Sequence, residues 1–330
     1  MSKTIMESLW NQLTLPAVSA PMFLISSPKM VTESCLNGVI GSFPANNARD
    51  IETLDEWMGS INQTLKEARQ NDPQLKIAPW AMNLIVHRSN DKFSEQLELV
   101  KKHKPPILIT SLGSPKRAVE IVHSYGGLVF SDVSTVAFAK KAAEVGVDGL
   151  VLVTAGAGGH AGIINGFAFI DSVRIFWDGI ILLAGAISTG AGILAAQAAG
   201  ADLAYMGTRF IVAEESFAKD AYRQMIIDSG QEDIIYTDAF SGVHSNMLRP
   251  SLEKAGIDSE KLEKKETVSF EYKSENGKAK AWKDIWSAGH GVGAIVEIDT
   301  TSGIIAKLQR EYEESLQKVN LIANKSNRKI

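Results

Sequence analysis

Residues 149–162 read G-L-V-L-V-T-A-G-A-G-G-H-A-G, and how this stretch is read decides the fold. An apolar run of strand type, Gly149 to Val153, passes into a loop with four glycines around His160. Three readings compete: a dinucleotide fingerprint, a tight turn without chemistry, or a catalytic loop whose backbone must approach a flat cofactor. G-A-G-G-H-A at Gly156–Ala161 fits the loose pattern G-x-G-x-x-G/A, and Asp178 supplies the acidic residue such a unit wants. The match falls on the sixth apolar run instead of the first, however. The residues after it, I-I-N-G-F-A-F-I-D, do not begin like a long amphipathic helix.

Moving outward, the same type of run recurs. Ala17–Met22, Gly38–Phe43, Ile77–Leu84, Ile107–Ser111 and Leu128–Ser131 precede it; Ile180–Ala184 and Leu203–Gly207 come after it. Short, nearly continuous apolar strands suggest a parallel sheet buried on both faces. Between them lie helical patterns. Leu54–Gln70 places Leu54, Trp57, Met58, Ile61 and Leu65 on one stripe. Thr135–Val145 stops at Gly146, and 192–199 stops at Gly200, where C-terminal capping glycines belong. Eight strands with helical crossovers by about residue 220 predict an α/β (β/α)8 TIM barrel; a doubly wound sheet is the alternative. After Glu214 the rhythm breaks. The spacing predicts a helix over 217–229, then a smaller, mainly helical region packed over one end of the barrel. Its charge-dense part, Asp258–Lys283, contains S-E-N-G-K and reads as a solvated face. A final amphipathic helix spans Ile304–Ala323. The expected division is a barrel over 1–220, a lid or substrate region over 221–300, and a C-terminal helix packing back over 301–330.

Composition narrows the function. The chain has 330 residues, 45% hydrophobic and 22% charged, enough for one barrel and an appendage. A net charge of -4 leaves no basic footprint for nucleic acid. The single cysteine, Cys35, excludes an intrachain disulfide and reads as a small buried hydrophobe in a reducing, cytoplasmic setting. The N-terminus has no signal-peptide pattern. No apolar run reaches the roughly 18 to 20 residues of a membrane span.

The loops after the seventh and eighth strands carry a second glycine set. Ala184–Gly192 reads A-G-A-I-S-T-G-A-G, and Met206–Phe210 reads M-G-T-R-F. In barrels these two loops commonly bind phosphate through backbone N–H groups. Glycine permits the close approach, and Ser188, Thr189 and Thr208 add hydroxyl donors.

These stretches carry a family likeness. The chain resembles the nitronate monooxygenases, formerly called 2-nitropropane dioxygenases, which are FMN-dependent barrels. A-P-M at Ala20, Pro21 and Met22 is similar to the family's first-strand flavin contact, and A-M-N-L at Ala81–Leu84 to its asparagine motif, centred on Asn83. G-G-H-A-G at Gly158–Gly162 resembles its histidine loop. The two phosphate loops, with Gly185, Ala186, Gly207 and Thr208, and D-I-W-S-A-G-H-G-V-G at Asp284–Gly293 complete the series. Two departures stand out: Gly156 replaces an acidic residue that many relatives carry, and near Asp132 relatives often carry lysine.

The resemblance implies oxidation of an alkyl nitronate, or a nitroalkane, by FMN and O2 to a carbonyl compound and nitrite. A homodimer is left open. It makes Ala20, Pro21, Met22, Asn83, Gly158, Gly159, Gly185, Ala186, Gly207 and Thr208 the cofactor-binding residues and His160 the catalytic one. His160 would bond the nitronate oxygens or remove the α-proton of a neutral nitroalkane. Flavin reductases of enoyl thioesters and quinones share these motifs. An FMN-dependent NAD(P)H reductase is therefore the alternative, and a non-flavin phosphate-binding lyase or isomerase the second. His87, His244 and His290 are weaker site candidates, while His103 and His123 read as surface residues. Tyr236, Phe240, Trp282 and Trp286 are expected to make the lid apolar. No metal motif such as H-E-x-x-H and no G-x-S-x-G appears.

Overall fold

The computed structural model of the chain describes residues 2–265 and 282–326. Part of the charge-dense stretch, including S-E-N-G-K, lies outside the described residues. Eight parallel strands close into a barrel. In chain order they are Ala17–Ser19, Ile40–Pro44, Trp80–Ile85, Ile107–Ser111, Leu128–Val133, Gly149–Val153, Ile180–Ala184 and Leu203–Met206. The first pairs with the last, Val18 opposite Tyr205, and this contact closes the sheet. All eight expected runs are strands, so the doubly wound alternative falls away.

Both faces of the sheet are buried, which is why the runs are apolar throughout. One face looks into the barrel, where Val18, Ile40, Ile109, Phe130, Val151 and Leu182 pack together. The N-terminal helix, Ser2–Trp10, contributes Met6 and Leu9 to this cluster, and Leu13 just after it, beside strand-start residues such as Ile107 and Ile180. It therefore plugs the end of the barrel opposite the strand C-termini. The other face packs against the ring of helices, with Leu54, Met58, Ile61 and Leu65 of helix Ile51–Asn71 in the larger cluster.

The helices begin where side-chain acceptors stand. Ser27, Asp50, Thr135, Asn165 and Thr189 each accept from a backbone N–H of the first turn. Helix Val136–Val145 ends on Gly146 in the left-handed region, as its position predicts. A helix of only nine residues, Gly166–Arg174, comes after the histidine loop. The last helix, Thr301–Ser326, packs on helix Gly190–Ala198, next to the first glycine loop.

The region after the barrel is organised differently from a purely helical layer. The helix expected over 217–229 forms at Asp220–Asp228. Beyond it, strands Ile234–Thr237 and Ser245–Leu248 pair antiparallel, and a two-residue strand, Gly159–His160, joins the second of them. The histidine loop of the barrel is thus an edge of this small sheet.

Candidate active site

A cavity of about 360 Å³ opens at the C-terminal end of the barrel strands. That volume lies in the range of small-molecule and cofactor sites. The structure brings every predicted site residue to it. Ala20, Pro21 and Met22 line it after the first strand, Asn83 in the third, and Gly158, Gly159 and His160 after the sixth. Gly185 and Ala186 line it after the seventh strand, and Gly207 and Thr208 after the eighth. From the later region come Tyr222, Val243, Trp282, Ser287, Gly289 and Gly291.

Each lining loop is held by identifiable contacts. Asn47 braces the A-P-M loop, donating from Nδ2 to the carbonyls of Met22 at 3.0 Å and Ser26 at 2.9 Å. The histidine loop and the first glycine loop are tied by the Ala186 N–H, which donates to the Gly156 carbonyl at 3.1 Å. The His290 N–H shares that acceptor at 3.0 Å. At Gly158 a Cβ would lie 2.8 Å from the Gly289 nitrogen, so only glycine permits this crossing. At Gly185, with φ +137°, a Cβ would lie 2.1 Å from Thr154 Oγ1. Three non-glycine residues with positive φ, Leu112, Ala186 and Trp282, also line the cavity. Such backbone costs energy and collects at functional sites.

His160 stands opposite Ser245 in the small sheet, and its ring meets Trp282 edge-on with centroids 5.1 Å apart. Its Nε2 lies 3.2 Å from Ser241 Oγ, whose single proton has a second acceptor in the Val243 carbonyl at 3.0 Å. Burial lowers the imidazole to about 4, so the ring is neutral at physiological pH. Asn246, fully buried, donates from Nδ2 to the carbonyls of Ala155 at 2.9 Å and Ala157 at 2.7 Å. It fixes the loop that carries the histidine.

A polar chain runs along the barrel end of the cavity. Asn83 Nδ2 donates to Ser111 Oγ at 2.7 Å, and Ser111 donates to Asp132 Oδ2 at 2.5 Å. Asp132 Oδ1 and the Tyr205 hydroxyl are buried without hydrogen-bond partners, as is Ser188 Oγ. Burial raises the Asp132 carboxyl to about 6, against the bond from Ser111. It also drives the Tyr205 phenol well up, with the Asp132 charge adding to the effect. Among the described residues no lysine or arginine lines the cavity.

Sequence reasoning marked the neighbourhood of Asp132 only as a departure from relatives and passed over Tyr205, Ser241 and Asn246. Asp132 had a legible signal, a carboxylate at the C-terminal end of a barrel strand, where catalytic groups belong. Tyr205 was counted within an apolar strand. Ser241 and Asn246 fall in a polar stretch without periodicity and acquire meaning only through pairing with Gly159–His160.

The remaining histidines sort differently from expectation. His87 lines a separate surface pocket with Arg88 and Lys116. His244 stacks on Tyr236, and His290 is exposed while its glycine neighbours line the cavity. His103 is mostly buried and paired with Asp55 instead of free on the surface. Of the four expected lid aromatics only Trp282 reaches the cavity; Trp286 is buried against Tyr222. Cys35 is fully buried, its thiol pushed up to about 12 by desolvation, which makes it inert. Among the described residues no helix is long and apolar enough to cross a membrane.

The residues fit a flavin phosphate. Ser188 Oγ is a buried donor without a partner on the first glycine loop. A Cβ at Gly207 would meet nothing nearer than Met22 Sδ at 3.6 Å, so the second loop leaves its backbone open.

Comparison with known proteins agrees. A family model described as nitronate monooxygenase matches residues 9–328. A nitronate monooxygenase of Paraburkholderia phytofirmans is 26% identical, over 94% of this chain and 95% of that protein. Among solved structures, FabK from Thermotoga maritima superposes with a TM-score of 0.76 at 20% identity, covering 97% of this chain and 98% of that one. A nitroalkane oxidase from Streptomyces ansochromogenes superposes at 0.72 with 19% identity, covering 94% and 99%. At such identities the structural likeness speaks for the fold.

Proposed function

Because the chain belongs to the nitronate monooxygenase family, and is an oxidoreductase of that flavin-dependent kind, we propose that it uses FMN and O2 to oxidise alkyl nitronates to carbonyl compounds and nitrite. One observation carries this reading: a neutral, buried histidine and both glycine loops converge on a single cavity.

The flavin, when bound, supplies the two-electron acceptor. Ser188 and the backbone around Gly185, Ala186, Gly207 and Thr208 hold its phosphate. Ala20, Pro21, Met22, Asn83, Gly158 and Gly159 contact its ring. A single pair of glycine loops suited to one phosphate, both lining one cavity, supports FMN over FAD. His160 acts by hydrogen bonding and not by charge, because burial keeps it neutral. Ser241 Oγ lies 3.2 Å from Nε2 and orients the ring, so that a neutral imidazole, not an imidazolium, faces the nitronate oxygens. Tyr222, Val243 and Trp282, from the region after the barrel, line the mouth, and Trp282 with Val243 limits substrate size and excludes water.

A second reading has its own observation. Among the described residues no lysine or arginine lines the cavity to offset an anionic nitronate. A neutral acceptor, a quinone or an enoyl thioester reduced at the expense of NAD(P)H, needs no such partner. Anaerobic mixing decides between them. Flavin bleached by ethylnitronate faster than by NADH, with FMN identified by mass after heat release, is the expected result. Bleaching by NADH alone would replace the first reading with the second.

A further inference from the structure

The loops after the third and fourth strands line two cavities at once. Ile85, Ser111 and Leu112 line the one at the barrel mouth, while Val86, His87 and Ser114 line a second of about 390 Å³. We propose that this second cavity binds the phosphomonoester of an adenosine nucleotide, the group that NADP(H) carries on its 2′ oxygen and coenzyme A on its 3′ oxygen. Such a site goes beyond the nitronate reading and serves whichever substrate the flavin converts.

The charges there are unusual for this chain. Arg88, Lys116 and Arg117 line the cavity, and Asp91 is the one carboxylate among its lining residues. The chain as a whole is acidic, at -4, so three cations to one anion within a single concavity run against its general balance. Among the described residues none of the three cations is in an ion pair. A phosphomonoester brings a charge of about -1.5 to -2 at neutral pH, which offsets this excess.

The local structure adds to the positive field. Lys116 and Arg117 occupy the first turn of helix Lys116–Ser124, the end where the helix dipole repels a cation. That turn holds no acidic residue, and no side chain caps it. Helix Phe93–His103 also starts without a side-chain cap, and its Phe93 and Ser94 line the same cavity. Arrangements that oppose a local rule in this way collect at functional sites, and an anion in the cavity relieves this one.

The cavity is also preformed. Asn90 Nδ2 donates to the Ile85 carbonyl and to Gln96 Oε1, both at 2.8 Å, which fixes the loop after the third strand. The Val86 N–H donates to the Ser111 carbonyl at 3.0 Å and ties the two loops together. Arg117 lies over the Phe93 ring, 5.0 Å from its centroid, so one helix start holds the guanidinium of the other. A guanidinium held in this way offers a planar fork of donors to phosphate oxygens.

Position links the cavity to the chemistry. Ile85 and Val86 are consecutive, with Cα atoms about 3.8 Å apart, yet they line different cavities. The wall between the two is one loop thick. A nucleotide anchored by its phosphomonoester can lay its other end, a nicotinamide or a thioester arm, across that wall into the mouth.

Calorimetric titration of the flavin-loaded enzyme tests the site. NADP+ is compared with NAD+, and coenzyme A with dephospho-coenzyme A; each pair differs only by the phosphomonoester, and the oxidised dinucleotides avoid turnover. In at least one pair the phosphorylated member should bind about tenfold or more tightly. Arg88→Ala combined with Lys116→Ala should erase that difference and leave the other member within about twofold. A difference confined to the dinucleotides supports a reducing dinucleotide as the ligand, and one confined to coenzyme A supports an acyl thioester. Equal affinities within both wild-type pairs would overturn the proposal. So would a variant that weakens both members of a pair alike, since diffuse surface charge acts in that way. Both substituted side chains are exposed, so flavin absorbance and melting temperature should stay at wild-type values, and Arg88→Ala alone gives the same comparison if the double variant does not fold. Bleaching by ethylnitronate should be unchanged in these variants. Its failure in the wild-type enzyme would overturn the nitronate reading and leave the phosphate site standing.

Discussion

At the scale of single residues, the chemistry turns on how burial splits two ordinary side chains. An imidazole and a carboxyl enter one cavity from different walls. Desolvation disfavours whichever form is charged, so the histidine falls and the aspartate rises. On the proposed reading, His160 acts on the nitronate by hydrogen bonding as a neutral imidazole. We predict that His160→Ala retains flavin but lowers anaerobic flavin reduction by ethylnitronate by about 10² to 10³, the usual cost of one lost donor at a developing charge. His160→Gln, which keeps an N–H, should recover part of it. Near-normal stopped-flow rates for His160→Ala would make the residue structural. The place of His160 at the cavity was legible in the sequence, because a histidine among glycines after an apolar run advertises itself. Asp132 was harder to see. The apolar reading of the fifth strand stops at Ser131, yet the strand runs to Val133 and carries the carboxylate into the cavity wall.

At the scale of elements, the barrel was readable and the small sheet was not. Strands buried on both faces declare themselves as continuous apolar runs, and capped helices between them fix the alternation. A two-residue strand such as Gly159–His160 has no period to detect. Its partners, Ser245 and Asn246, lie more than 80 residues on, so its existence depends on a pairing that local pattern does not encode. That pairing gives the region after the barrel a direct hold on the histidine. Asn246 is its hinge-pin, joining the carbonyls of Ala155 and Ala157 through one amide. We predict that Asn246→Ala leaves both buried carbonyls without this donor and destabilises the protein by about 1–3 kcal/mol. The loop should then loosen around His160. Nitronate turnover should fall by about tenfold or more while flavin absorbance per chain is kept. An unchanged turnover, with only the melting temperature lowered, would restrict Asn246 to a structural role.

At the scale of the whole molecule, the same two side chains shape how stability depends on pH, with opposite signs. His160 titrates at 6.5 when unfolded and at about 4 when folded. Between these values the unfolded chain binds more protons, so this group makes stability rise with pH. Asp132 titrates at 3.8 unfolded and at about 6 folded. There the folded chain binds more protons, so this group makes stability fall as pH rises through the same window. Each contribution is on the order of 3 kcal/mol, and between pH 4 and 6 they nearly cancel. The exposed carboxylates held low by neighbours, such as Asp50 and Asp55, titrate in every variant alike and drop out of the comparison. Removing one member of the pair should therefore expose the other. Asp132→Asn should lose stability relative to wild type as pH falls from about 6 to 4, because only the buried neutral histidine then resists protonation. His160→Ala should show the reverse, losing relative stability as pH rises across that interval, because only the protonated aspartate remains favoured. Melting temperatures of the three proteins at pH 4, 5 and 6, read by calorimetry, test this directly. Differences that do not change with pH in either variant would mean that neither group titrates out of its ordinary range.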